Sequence, residues 1–210
     1  YSNAGFLDIT INPDLVSYDF TKPQKGRITI TIEEGEQYFL GSVEVEGASI
    51  FTDQELLGLL KLKNKDGLVY SPSLVDAWAR EIEDFYSSRG YLETRVFADK
   101  KSNLENRQID VVFKIKESEK YYLESISIEG NTKTQQKVII RELALKPGDI
   151  FDYKRMQSSE QRLKNTAFFD EVRLRPEATN IPGRKNLNVL VSESRTGSFS
   201  FGAGFGSVRS

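Results

Sequence analysis

Short sequence patterns recur along this chain in a fixed order, at intervals of about 80 residues. The segment Phe39–Gly47 (FLGSVEVEG) recurs as Tyr122–Gly130 (YLESISIEG), 83 residues later. An alternating apolar pattern that ends in glutamate occurs three times, and its copies end at Glu34, Glu117 and Glu193. Such periodicity is typical of tandem domains built from one supersecondary unit. We therefore predict two complete copies of a domain, preceded by a copy whose first half is missing.

Each complete copy predicts the element order β-α-α-β-β. Its first strand alternates apolar and polar residues, which is the pattern of a sheet with one buried face. A capping box over Thr52–Glu55 starts a short helix, and Ser71 followed by Pro72 starts a longer one. The closing strands are predicted at about 92–98 with 108–116, and at about 170–175 with 186–192. The fold class is therefore α+β, with a three-stranded mixed sheet covered on one face by two helices.

Short charged joins divide the predicted copies. Residues 5–35 are interpreted as the C-terminal hairpin of an incomplete copy, 36–118 and 119–194 as complete copies, and 195–210 as a separate terminal strand. The hairpin, predicted at about 6–11 with 27–33, lacks an opening strand and both helices. A two-stranded hairpin is marginal in water, so we expect it to pack on the next copy or on another chain, or to fray.

Composition excludes several chemistries. The 210 residues contain no cysteine and no histidine, so histidine-dependent triads, Cys/His zinc sites and disulfides cannot form. The net charge of −2 gives no basic field for nucleic acid. The acidic groups Glu33/Glu34 and Glu81/Glu83/Asp84 are interpreted as a strand end and a solvent-facing helix surface rather than acid/base pairs. We expect a non-enzymatic protein without a cofactor or metal.

The segments Leu145–Phe151 (LKPGDIF) and Arg162–Val172 (RLKNTAFFDEV) resemble the last POTRA (polypeptide-transport-associated) repeat of the BamA family of outer-membrane protein assembly factors. Gly90–Glu93 (GYLE) is similar to the matching part of an earlier repeat. Thr196–Ser207 resembles the first barrel strand of that family, and its alternation of Phe with Gly or Ser is typical of a transmembrane barrel strand. The resemblance covers nearly the whole chain after residue 4.

The resemblance implies a periplasmic arm of a Gram-negative outer-membrane protein, joined to the membrane through a C-terminal barrel. Its implied partners are unfolded outer-membrane proteins and accessory assembly lipoproteins, with no nucleic acid. Two alternatives remain open. One is the POTRA region of a related autotransporter-assembly factor or two-partner secretion transporter, and the other is an envelope scaffold of the division type.

A POTRA repeat suggests binding by strand addition, in which an extended peptide pairs with an exposed sheet edge. The resemblance implies that the third strand of each copy is central and the second is the exposed edge. The predicted binding residues are one run on each second strand: Thr94, Arg95, Val96 and Phe97, and Glu171, Val172, Arg173 and Leu174. The alternative is that the Arg and Glu side chains blunt these edges so that they bind nothing.

Overall fold

A computed structural model describes residues 1–22, 25–62 and 67–194. The segment 195–210, predicted to begin a barrel strand, lies outside the described residues. The eight strands of the described chain are β1 (Thr10–Lys22), β2 (Lys25–Glu33), β3 (Phe39–Glu46), β4 (Arg95–Asn103), β5 (Gln108–Lys116), β6 (Tyr122–Glu129), β7 (Phe169–Ala178) and β8 (Arg184–Glu193). Its α-helices are α1 (Asp53–Leu59), α2 (Pro72–Ser87), α3 (Gln136–Ile140) and α4 (Tyr153–Asn165).

The two complete repeats share one topology. Their sheets have the strand orders β3-β5-β4 and β6-β8-β7, so the third strand of each repeat is central. The first strand pairs with it in parallel and the second strand in antiparallel orientation. The predicted α+β fold, a three-stranded mixed sheet with two helices, is therefore confirmed, together with the predicted strand order.

Helices cover one face of the first complete sheet. Thr52 and Glu55 form the predicted capping box at the start of α1, and the Ser71 side chain accepts from the Leu74 N–H at the start of α2. The inner face of α2 buries Ile82 and Tyr86 completely. Removal of the Ile82 side chain from water contributes about 1.5–3 kcal/mol.

The second complete repeat has shorter helices. Helix α3 contains five residues, and its N-cap residue Gln135 makes no side-chain hydrogen bond to the helix, which agrees with the weaker start signal in the sequence. Met156 and Leu163 of α4 are buried. Ser159 is also buried, and its hydroxyl donates to the Arg155 carbonyl and accepts from the Ala144 N–H. A polar group is thus accommodated in this core because it is fully hydrogen bonded.

Several strand boundaries differ from the sequence predictions, most clearly those of β4 and β1. Strand β4 begins at Arg95 rather than near residue 92, because a turn joins the Tyr91 N–H to the Tyr86 carbonyl and Gly90 has a φ of 96°. Strand β1 extends over Thr10–Lys22 rather than ending near residue 11. Its pairing with β2 is interrupted by an irregularity between Ile11 and Val16, which contains Pro13. Residues 12–15 stand there opposite the single residue Thr31, so the pairing is locally interrupted.

The β1–β2 hairpin leaves an apolar face uncovered by the described residues. Ile11 pairs with Ile32, and Tyr18 pairs with Ile28, so apolar side chains line one face of the hairpin. Ile28 is 59% exposed. Compact units form from Tyr1–Tyr121 with Ile150–Tyr153, and from Tyr122–Asp149 with the described residues 154–194. Within the first unit, Tyr38 donates to the Asp8 carboxylate just before the hairpin.

Candidate functional site

The second strand of each repeat lies at a sheet edge. Strand β4 pairs with β5, and β7 pairs with β8, and neither has a second neighbour among the described strands. Backbone N–H and C=O groups alternate in direction along an antiparallel strand, so every second residue directs both groups away from the partner. These outward residues are the ones that an added strand would pair with.

The outward residues of β4 are identified by a hydrogen bond from its backbone. The Val96 N–H donates to the Glu83 carboxylate on α2, at 2.9 Å, and therefore faces away from β5. The register with β5 is regular from Arg95 to Asn103. The remaining outward residues are consequently Ala98, Lys100 and Ser102.

The structure separates the four predicted residues of the first edge. Thr94 precedes β4 and is 2% exposed. Its hydroxyl oxygen accepts a hydrogen bond from the Ser118 N–H and also bonds the Ser118 hydroxyl. Val96 directs its side chain into the core. Arg95 and Phe97 occupy the opposite sheet face, and Phe97 is 61% exposed. The four residues thus do not form a single surface, although Phe97 is an exposed aromatic side chain next to the open edge.

The second edge, on β7, is less accessible to an added strand. Glu171 and Arg173 form an ion pair on the exposed sheet face, while Val172 and Leu174 direct their side chains into the core. The Leu174 N–H donates to the Glu160 carboxylate on α4, at 3.1 Å. Because the register is regular from Glu171 to Ala178, the outward positions are Val172, Leu174, Pro176 and Ala178.

Glutamates from the long helices therefore occupy one donor on each edge. We call Glu83 and Glu160 the edge glutamates. Glu83 was expected on a solvent-facing helix surface, and that interpretation was wrong because its carboxylate turns towards β4. Burial opposes ionisation of Glu160, but hydrogen bonds from Lys164 and the Leu174 N–H outweigh it and hold its pKa below the ordinary value.

A groove lies beside the start of each edge strand. Residues lining the first groove include Glu83, Ser87 and Arg95. The second groove is lined by Glu160 and Lys164 of α4 together with residues of the edge strand. In each repeat the edge glutamate therefore lines a groove beside the start of the edge strand.

A second pair of glutamates, one in each repeat, lies at the end of the central strand. Glu117 accepts hydrogen bonds from the Ser49 and Ile50 N–H groups, the Ser49 hydroxyl and the buried Tyr86 hydroxyl. Burial opposes its ionisation, but these hydrogen bonds outweigh burial, so the pKa of Glu117 lies below its ordinary value. We call Glu117 and its counterpart Glu193 the terminal glutamates.

Glu193 binds the equivalent loop of the second repeat. It accepts from the Thr132 hydroxyl and from the Lys133 and Thr134 N–H groups, at 2.6–3.0 Å. The Thr132 hydroxyl and the backbone donors lower the pKa of Glu193 to about 2. The terminal glutamates end the repeated pattern found in the sequence, and that recurrence is the signal by which their shared role could have been identified. Their function is structural, since each holds the loop after the first strand against the third.

Among the described residues, acidic side chains do not gather in groups that could hold a metal ion. Within the same part of the chain, helices long and apolar enough to span a lipid bilayer are absent.

The family model for POTRA, described as a surface antigen variable number repeat, matches residues 38–118 and 121–194. The chain therefore belongs to the POTRA family, a class of tandem α+β repeats. This agrees with the resemblance carried by the repeated sequence patterns.

The curated relatives include outer membrane protein assembly factors. BamA of Nitratidesulfovibrio vulgaris is 29% identical over 206 residues, and the alignment covers 97% of this chain and 26% of that protein. BamA of Neisseria meningitidis serogroup B is 30% identical over 207 residues, covering 98% of this chain and 26% of the relative. The chain thus spans about a quarter of the length of these relatives.

Solved structures agree on the fold. The crystal structure of Haemophilus influenzae BamA POTRA3-5 has a TM-score of 0.72 at 21% identity and covers 91% of this chain and 75% of that chain. BamA from Haemophilus ducreyi lacking POTRA domains 1-3 has a TM-score of 0.70 at 22% identity, covering 77% of this chain and 30% of that chain.

Proposed function

We propose that this chain is the receptor arm of an outer-membrane β-barrel protein assembly factor. It lies in the periplasm of a Gram-negative cell, binds unfolded outer-membrane proteins by strand addition and docks accessory assembly lipoproteins. The names of its relatives, which are outer membrane protein assembly factors, support this role. The arm holds its partners through backbone edges, and folding of the client drives insertion.

The proposed organisation follows the sequence repeats. Residues 5–35 are the hairpin of one repeat, and 36–118 and 119–194 are complete repeats. The final segment, 195–210, begins the barrel that anchors the arm to the outer membrane.

The observation that carries the proposal is the recurrence of one open edge beside one groove in both repeats. Backbone pairing depends little on the sequence of the added peptide, which suits a receptor for many different unfolded chains. The proposed binding segments are Thr94–Phe97 with the rest of β4, and Glu171–Leu174 with the rest of β7.

A peptide titration followed by backbone amide chemical shifts tests this function. The probe is a ten-residue barrel-strand peptide with alternating apolar residues, added to the isotopically labelled 210-residue chain. Strand addition predicts shifts concentrated at the outward amides of β4 or β7. A control peptide of the same sequence with every backbone nitrogen methylated has no N–H donor for pairing and should give no such shifts. If the probe perturbs neither edge at about millimolar concentration, strand addition is refuted for this chain.

A further inference from the structure

We propose that the two edges are not equivalent, and that added strands pair with Ala98–Ser102 of β4. We call this stretch the open segment. The edge glutamates, Glu83 and Glu160, determine which backbone donors each repeat offers, and so they set the position at which a client strand is added. This inference rests on the proposed function and specifies the site and register at which it operates.

The open segment offers consecutive backbone donors. Glu83 occupies the first outward N–H of β4, at Val96. Beyond it, Ala98, Lys100 and Ser102 face outward. Within the described residues, their N–H groups do not donate to a carboxylate of a helix. The Lys100 N–H also makes a hydrogen bond to the carboxylate of its neighbour Asp99, which is held mainly by Lys114. An added strand can therefore bond at three successive outward positions, with its carbonyl replacing the exposed Asp99 carboxylate at the Lys100 N–H.

The edge of β7 offers no such run. Glu160 occupies the N–H of Leu174, and the next outward residue, Pro176, has no N–H to donate. Val172 and Ala178 remain, but they are separated by those two positions. Proline on the outward side of an edge strand is a known means of preventing strand addition.

Matching positions show where the two edges differ. Lys100 pairs with Val111, and Pro176 pairs with Leu187, which are equivalent residues of the repeated alternating pattern. By the same register, Phe97 on the exposed face of β4 corresponds to Arg173 on β7.

Phe97 also specifies the chemistry of the ligand. Directly opposed side chains on neighbouring strands pack against each other, and Phe97 is largely exposed on the face away from the helices. The fitting partner is an extended segment with alternating residues that places an aromatic or β-branched side chain opposite Phe97. Arg173 and its ion pair with Glu171 would instead disfavour an apolar side chain on β7.

The main test places a proline in β4 at the position that matches Pro176 of β7. Lys100→Pro introduces into β4 the residue that β7 already carries at the same register, so the fold should tolerate it. We expect it to weaken binding of the alternating peptide at least tenfold. Lys100→Ala removes the same side chain but keeps the N–H, and it should bind like the unmodified chain. Amide spectra of both variants establish that each is folded.

Two further variants move the site. Glu83→Ala frees the Val96 N–H, so the perturbed amides should extend to Val96 and the affinity should rise several-fold. Glu83→Gln retains a carbonyl acceptor and should leave the perturbed region unchanged. The double change Glu160→Ala with Pro176→Lys gives β7 consecutive donors and should create a second binding site there.

The results separate this inference from the proposed function. If Lys100→Pro leaves the affinity unchanged, or if the peptide binds β7 of the unmodified chain, the inference is wrong while strand addition stands. If the peptide perturbs neither edge, both fail. Sedimentation velocity supplies a further check, because dimers formed through the open segment would make a second copy of the chain its occupant and overturn the inference.

Discussion

The hydrogen bond between Tyr86 and Glu117 predicts strong thermodynamic coupling within the first complete repeat. Tyr86 is fully buried, and its hydroxyl donates to the Glu117 carboxylate at 2.7 Å. Burial and the nearby carboxylate raise the pKa of this tyrosine above its ordinary value, so it remains a neutral donor at any physiological pH. We consider the single variants Glu117→Ala and Tyr86→Phe and the double variant that combines them.

The expected magnitudes follow from the contacts. Glu117→Ala removes the acceptor of several hydrogen bonds and leaves the Tyr86 hydroxyl buried without this partner, which should lower the free energy of unfolding by about 2–4 kcal/mol. Tyr86→Phe removes one hydrogen bond to a charged group and should cost about 1.5–3 kcal/mol. In the double variant no buried hydroxyl remains, so its cost should fall short of the sum by about 1–2 kcal/mol.

Urea unfolding monitored by tryptophan fluorescence measures these values in the correct repeat. Trp78 is the only tryptophan in the 210 residues, and it lies in α2 with 6% exposure. Its emission therefore reports the unfolding of the first complete repeat. Costs that add to within about 0.3–0.5 kcal/mol would refute the coupling. That outcome would mean that the Tyr86 hydroxyl finds another partner when Glu117 is removed.

Three further predictions concern the second repeat. Because the pKa of Glu193 is lowered to about 2 from an ordinary 4.5, its stabilising contribution is complete above pH 4.5 and disappears as the pH falls towards 2; the difference in urea midpoint between the unmodified chain and Glu193→Gln should shrink over that range. Gly130→Ala should cost more than about 2 kcal/mol, since φ is 89° and a Cβ would lie 1.9 Å from the Val191 carbonyl oxygen. Gly58→Ala, in open space within α1, is the control and should be neutral or slightly stabilising in the same circular dichroism melts. Asn188→Val should preserve stability or raise it by about 1 kcal/mol, because the buried Asn188 Oδ1 atom lacks a partner among the described residues; a large loss would show that its bonds to Glu129 and Glu177 dominate.

The repeated architecture could be predicted because its signals are local. The alternation in each strand, the capping box at Thr52 and the proline after Ser71 are encoded within a few neighbouring residues. Even the terminal glutamates recur at a fixed place in the pattern. Their contacts, however, connect residues about 60–70 positions apart, and only the folded sheet brings these together.

The edge glutamates show where sequence reasoning failed. Glu83 lies among other acidic residues on a helix and reads as part of a solvated surface. Its bond to the Val96 N–H depends on how α2 crosses the sheet, and the pattern of helix residues does not encode that angle. The sequence also showed Pro176, but its effect on the edge becomes evident only from the register that directs it outward.

The parallel pairing of the first and third strands also determines how a repeat responds to a pull along the chain. The chain enters each repeat at the start of β3 or β6 and leaves near the end of β5 or β8. Opposite forces applied at those two points slide the parallel neighbours past each other, so the hydrogen bonds between them are loaded together rather than broken one at a time. A repeat of this topology can therefore transmit tension between its two ends while its sheet stays intact.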